Sequence, residues 1–396
     1  MLINGGVRGY YNAPTAAAAS GSWTRNDHYV YRLRGNWPVP AAQQAFVAVP
    51  LQTTPYINVY QFTSRVGFGS KMSDPGVPPG SYATKVAWAP DNSAIFVSTA
   101  AAPYIAAWSW SAAGFGTRYT NPSSLISFAS YSVAVNPTSS YVALQAQSAT
   151  SSSSYIYPWS IASGFGTATA IPVGSSTGYG YATKIAWSPT NGSLVFAGAT
   201  SPYIHSYQWN DATGLGTLNA SAYTGTTGQI GDFEINYNGT LISVSFVNVN
   251  TSSPGIFAYS DGSGITNGTP RFSGYTQLGG TSGTPYSYSS KFSKDGNAYA
   301  FHYAATGVAH GGRVFGIDSS GASTGLGGTL GAVIFTGTDI SPNSQDLIFF
   351  SGSPLQYAYP LTTVAGGTPS VGSAYSSVAL TAAMTAYGGG RFNNFG

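Results

Sequence analysis

Residues 84 to 121 run Thr84-Lys85-Val86-Ala87-Trp88-Ala89-Pro90-Asp91-Asn92, then Ala94-Ile95-Phe96-Val97, Pro103-Tyr104-Ile105, Trp108-Ser109-Trp110 and Gly114-Phe115-Gly116-Thr117. The chain then repeats itself. Residues 183 to 217 read Thr183-Lys184-Ile185-Ala186-Trp187-Ser188-Pro189, Leu194-Val195-Phe196, Pro202-Tyr203-Ile204, Trp209 and Gly214-Leu215-Gly216-Thr217. Self-similarity at a fixed period constrains the architecture more than any local propensity, because each unit must stack on its neighbours.

Three landmarks track the repeat. An apolar strand ends in turn residues at Trp88-Ala89-Pro90-Asp91, Val135-Asn136-Pro137-Thr138, Trp187-Ser188-Pro189-Thr190, Ile235-Asn236-Tyr237-Asn238-Gly239, Phe292-Ser293-Lys294-Asp295-Gly296 and Ile340-Ser341-Pro342-Asn343. A second apolar strand follows each time, as in Tyr141-Val142-Ala143-Leu144, which is a hairpin signal. A third strand carries Phe62, Trp110, Trp159, Trp209, Tyr259, Ile317 and Tyr359, the first four spaced by 48, 49 and 50 residues. Glycines then frame one residue, as in Gly67-Phe68-Gly69 and Gly164-Phe165-Gly166. Four short strands per period predict an all-β chain folded as a seven-bladed β-propeller. Ala45-Phe46-Val47-Ala48-Val49 matches a second strand, so blade one lacks its innermost strand. Ser377-Val378-Ala379-Leu380-Thr381 matches a first strand, and pairing between the two termini is expected to close the ring and remove unpaired edges.

The expected organisation is an N-terminal extension over 1–40, the propeller over 41–387 and a Gly-rich tail over 388–396. Composition supports a packed body: 43% of residues are hydrophobic and 14% aromatic, which a disordered chain lacks. There are no cysteines, so thiolate metal sites are excluded. The N-terminus shows no secretory signal pattern. No apolar run reaches the roughly 18 residues of a membrane-crossing helix, so no membrane insertion is expected. The net charge of +3 comes from Arg8, Arg25, Arg32 and Arg34 against Asp27 in the leader, and the remainder is balanced. A neutral body without a basic stripe does not fit nucleic-acid binding.

Candidate chemistry is sparse. The Gly-x-Gly elements lack the third glycine and the helix of a dinucleotide fingerprint, and read as turns. Asp232 and Glu234 share a strand face. They are the one closely spaced carboxylate pair of the repeats and could serve a glycosidase, but a local polar substitution is the plainer reading. Of His28, His205, His302 and His310, only the last two flank one loop, and no acidic cluster completes a metal site. No cofactor and no metal are expected. Asn191-Gly192-Ser193, Asn238-Gly239-Thr240 and Asn267-Gly268-Thr269 match a glycosylation pattern but read as turns. Tyr82, Tyr179, Tyr181, Tyr223, Tyr275 and Tyr286 fall in loops expected on one face, suited to a ligand or partner, or to capping the body.

The leader reads Ser22-Trp23-Thr24, Tyr29-Val30-Tyr31-Arg32-Leu33-Arg34-Gly35-Asn36-Trp37-Pro38. A short helix and a strand fit it equally, and neither is stable unsupported. With the blade motif Pro103-Tyr104-Ile105, Trp108-Ser109-Trp110 and Gly114-Phe115-Gly116-Thr117, it resembles WD-like propeller proteins associated with the tails of tailed bacteriophages. That resemblance implies a non-enzymatic virion component (fiber, adaptor or adhesion protein) present in several copies. It would dock on other virion proteins through Trp23, Tyr29, Arg32, Leu33, Arg34 and Trp37. A capsid decoration protein and a propeller binding host surface glycan are the alternatives. A hydrolase dependent on Asp232 and Glu234 remains a further class.

Overall fold

The computed structural model describes residues 44–123, 129–146, 154–172, 184–197, 203–219, 229–247, 255–273, 285–305, 308–330, 335–351, 355–375, 377–379 and 391–392. Every regular element among them is a strand, and the strands form seven antiparallel sheets of four or five strands. The expected seven-bladed propeller is therefore the fold. Blade two shows the plan: Ala83–Trp88, Ala94–Thr99, Ile105–Ser111 and Gly114–Arg118 pair in chain order from the inside out. The innermost strands of the remaining blades are Ser130–Val135, Ile185–Trp187, Gln229–Ile235, Pro285–Phe292 and Phe335–Ile340, and in blade one Arg391–Phe392.

Ring closure uses both termini, as expected, but a different segment. Val47 pairs with Phe392 and Ala48 with Arg391. Val378–Ala379, in the stretch expected to close the ring, pairs instead with Leu355 and Gln356 on the outside of blade seven. The closing strand therefore comes from the Gly-rich tail. Its two residues are fastened sideways: Phe392 N donates to Asp339 Oδ2 of blade seven at 2.8 Å. Trp88 Nε1 of blade two donates to the Arg391 carbonyl at 3.0 Å. The Phe392 ring meets Phe62 edge-on at 5.0 Å.

Both faces of each blade bury apolar residues against the next, so the core is divided among the blade interfaces. The third-strand aromatics anchor it: Trp110 meets Trp88 at 5.0 Å and Phe46 of blade one at 5.1 Å, both edge-on, the geometry that ring quadrupoles favour. The first glycine of Gly-Phe-Gly turns the chain at a φ of 112° at Gly114, which a side chain would resist. At Gly116 a Cβ would lie 2.4 Å from Ser109 Oγ, so a side chain there would displace the hydroxyl that accepts from Thr117 N.

The polar turn residues that mark the repeat in the sequence also tie blades together. Asp211, in the turn after the third strand of blade four, accepts from Thr138 Oγ1 at 2.7 Å and Asn136 Nδ2 at 3.1 Å in blade three. It also accepts from Asn191 Nδ2 at 2.9 Å and Trp209 Nε1 at 2.7 Å in its own blade. Thr190 with Asp261, and Thr363 with Asp295, repeat the clasp between later blades. Across the closure, Ser64 Oγ and Arg65 N donate to Asp346 at 2.7 and 2.8 Å. Replacing Asp211 with alanine leaves several donors without an acceptor and is expected to cost about 2 kcal/mol. A lowered urea midpoint with an unchanged slope would register it. An unchanged midpoint would mean that water replaces the clasp at no cost.

Candidate functional site

The innermost strands line the axis of the ring, and each ends on an apolar residue: Trp88, Val135, Trp187, Ile235, Phe292, Ile340 and Phe392. The residue one earlier alternates to the opposite strand face. Going round from blade five, that position holds Glu234, Lys291, Asp339 and Arg391, then Ala87, Ala134 and Ala186. Charge alternates in sign over four successive blades and is absent from the other three. Two residues earlier on the same face stand Lys85, Ser132, Lys184, Asp232, Ser289 and Gly337. Four of the 14 basic residues and three of the 11 acidic ones thus meet at the axis of a chain that is only 6% charged.

Six of the seven form one network. Lys184 Nζ lies 2.6 Å from Asp232 Oδ1 and 3.0 Å from Glu234 Oε2. Lys291 Nζ donates to Glu234 Oε1 and lies 3.8 Å from Asp339 Oδ1. Arg391 Nη1 is 3.9 Å from Asp339 Oδ1, too far for a hydrogen bond, and is buried without an acceptor among the described residues. Ser290 N donates to Asp232 Oδ2 at 3.1 Å. Burial alone would raise the Glu234 carboxyl, but Lys291, Lys184 and Arg391 outweigh it and hold the group at about 2. Asp339 goes the other way: burial raises it despite Lys291 and Arg391.

Lys85 stands apart. It is half-buried, and among the described residues no carboxylate lies within 4 Å of its amine. Burial is the main influence on that amine. Asp232 supports its charge, while Arg391, Lys184 and Lys291 oppose it, and the outcome is an amine brought down to about 7. An amine half-neutral near neutral pH can act as a base or nucleophile, as an ordinary lysine cannot.

Asp232 and Glu234, paired in the sequence, are therefore members of a seven-residue cluster, not an isolated polar substitution. The other five members went unrecognised. The signal that finds them is the column of charges immediately before or three before the apolar end of each inner strand. Of the histidines, His302 is buried in blade six and His205 stacks on Phe196 at 5.0 Å. His28 lies outside the described residues, as does the side chain of His310. Tyr82 is 40% exposed, before the inner strand of blade two. Tyr179, Tyr181, Tyr223 and Tyr275 lie outside the described residues, and Tyr286 is on the inner strand of blade six with its side chain outside the description. The leader residues Trp23, Tyr29, Arg32, Leu33, Arg34 and Trp37 lie outside as well.

No protein-family model and no curated protein matches the sequence. Solved structures do match. The periplasmic gluconolactonase of Pseudomonas aeruginosa overlays with a TM-score of 0.67 at 13% identity, covering 89% of this chain and 99% of that one. A Bacteroides fragilis protein, provisionally named a 6-phosphogluconolactonase, gives 0.67 at 14% identity over 90% and 100% of the two chains. A similarly named Bacteroides uniformis protein gives 0.66 at 13% over 88% and 99%. At such identity the likeness establishes the ring. It also corrects the expectation of a non-enzymatic virion component: these propellers, matched over nearly their whole lengths, are named for lactonases. The likeness to phage WD-like repeats, and the virion and host-attachment roles it implied, find no support in them. The physical reason is that strand and turn periodicity belongs to the propeller scaffold, whereas function belongs to side chains placed on it.

Proposed function

We infer that the protein is a hydrolase acting on a lactone, with the charged axial cluster as its reacting centre. The observation that carries this reading is the charged axial cluster, in which the Lys85 amine has no carboxylate within 4 Å and Arg391 Nη1, on the neighbouring inner strand, has no acceptor among the described residues. The names of the structural neighbours support the reaction class. In this reading the neutral Lys85 amine takes a proton from water as its oxygen attacks the lactone carbonyl carbon. Arg391 Nη1 donates to the oxyanion that develops. The ring C–O bond then breaks, and the departing oxygen takes the proton back from the Lys85 ammonium, giving an open hydroxy acid. Asp232, Glu234 and Asp339 are committed to the other cations, so they position the site.

The test is hydrolysis of glucono-1,5-lactone and its 6-phosphate by the purified protein, followed by acid release above the spontaneous rate. Turnover is expected to rise with pH through about 7 as the amine loses its proton. Lys85→Met is expected to lower it by about a hundredfold or more, the scale of a lost general base. Hydrolysis no faster than in buffer with every lactone tried would sink the reading.

A further inference from the structure

The most enclosed ion pair of the axial cluster joins two neighbouring blades, and its geometry is not that of an ordinary ion pair. Lys184, on the inner strand of blade four, and Asp232, on that of blade five, are 7% and 2% exposed. Lys184 Nζ lies 2.6 Å from Asp232 Oδ1, yet that oxygen accepts no hydrogen bond among the described residues. The approach is close without being directed along a hydrogen bond. The carboxyl carbon is one C–O bond beyond Oδ1, so amine and carbon are held almost in contact. The amine donates instead to Glu234 Oε2 at 3.0 Å, two residues along the same strand face. The second Asp232 oxygen, Oδ2, is fixed by the Ser290 N–H at 3.1 Å. The buried Phe233 ring lies 5.3 Å from the amine, measured to its centroid. Burying two opposite charges is costly, and a neutral amide in their place removes that cost.

We propose that Lys184 and Asp232 condense into an isopeptide bond, with Glu234 moving the proton, so that blade four is tied covalently to blade five. Glu234 takes one proton from the Lys184 ammonium, and the lone pair left on Nζ attacks Asp232 Cγ. A C–N bond forms, and Oδ2 stays on the carbon with its developing charge met by the Ser290 N–H. The Cγ–Oδ1 bond then breaks. Oδ1 leaves as water with two protons of the former ammonium, one of them handed over by Glu234, and the third stays on the amide nitrogen. One positive and one negative charge disappear together, Glu234 ends as it began, and no further reactant enters. Lys291 and Glu234 do not offer the same geometry, because there the amine donates an ordinary hydrogen bond to Oε1. The inference concerns how the ring is held and does not depend on lactone hydrolysis.

The experiment measures the intact mass of the denatured full chain and maps a chymotryptic digest by tandem mass spectrometry. The wild type is expected to weigh one water less than its sequence. Its digest is expected to hold a branched peptide joining residues 182–187 to 224–233, the fragments left by cleavage after Tyr181, Trp187, Tyr223 and Phe233. Asp232→Asn, which gives up ammonia in place of water, is expected to fall one ammonia short of its own sequence and to yield the same linkage. Lys184→Met is expected to carry its full mass. Glu234→Gln keeps both reacting groups and is expected to form the bond about a hundredfold more slowly after synthesis, the scale of a lost general base. Full sequence mass in the wild type, with the two fragments separate, leaves an ion pair only and overturns the proposal. A missing water placed at Asp261-Gly262 or Asp295-Gly296, where a cyclic imide gives the same mass, overturns it equally. Linkage in Glu234→Gln as fast as in the wild type overturns the part given to Glu234.

Discussion

Glu234→Ala is expected to destabilise the ring by about 3 kcal/mol, at the lower end for breaking a buried ion pair by removing one partner. Two lysines lean on this carboxylate, but neither is left alone: Lys184 keeps Asp232 at 2.6 Å and Lys291 keeps Asp339 at 3.8 Å. That residual pairing keeps the loss from being larger. The same carboxylate imposes a pH dependence with a defined sign. Its folded value of about 2 lies below the unfolded 4.5, so its contribution is fully present above pH 4.5 and fades as pH falls from 4.5 through about 2. Urea unfolding at pH 6, 4 and 3 should show the wild type losing stability over that interval, and Glu234→Gln losing less. Parallel decline of the two proteins would show that Glu234 is not the group responsible.

The second large effect is expected from a chain ending at Gly390. Removing residues 391–396 exposes the site of Phe392, which is 8% exposed and packs edge-on against Phe62. Burial of a phenylalanine accounts for about 2–3 kcal/mol. The Asp339 carboxylate also loses the Phe392 N–H and the Arg391 charge while keeping Lys291 at 3.8 Å, and this partial loss of a buried ion pair costs about 2 kcal/mol more. A loss of about 5 kcal/mol, or about 6 °C in the thermal midpoint of a chain this long, is expected. A synthetic peptide spanning residues 389–396 should recover part of it by pairing with the open edge of blade one. An unchanged midpoint would mean that seven stacked sheets hold together without the closing strand.

The ring was legible because its turns and aromatics repeat for a physical reason. Trp110, Trp159 and Trp209 fill equivalent blade interfaces, and the Asn, Asp and Ser turns both reverse the chain and clasp the neighbouring blade. The closing strand was misplaced because two residues have no alternation to read, whereas Ser377–Thr381 does. Only the column finds it: Arg391-Phe392 repeats the charge-then-apolar order of Glu234-Ile235, Lys291-Phe292 and Asp339-Ile340. The axial cluster stayed hidden for a related reason. Asp232 and Glu234 are neighbours in sequence and invite a reading within one strand, while their partners come from inner strands about 50 residues apart. Spacing within a strand shows which residues share a face; it does not show what faces them across the axis.

The three alanines at the charged level have a consequence of their own. Ala87, Ala134 and Ala186 are half-buried where the other four blades place Glu234, Lys291, Asp339 and Arg391. Seven sheets repeat one plan, yet at this level the axis is saline on one wall and methyl-clad on the other, while one layer away Lys85, Ser132 and Lys184 stand on the alanine side. A guest with an ionic edge and a greasy edge satisfies both walls of that level in a single rotational setting. The repeat supplies the barrel of the lock; one residue per sheet at a single level cuts the keyway.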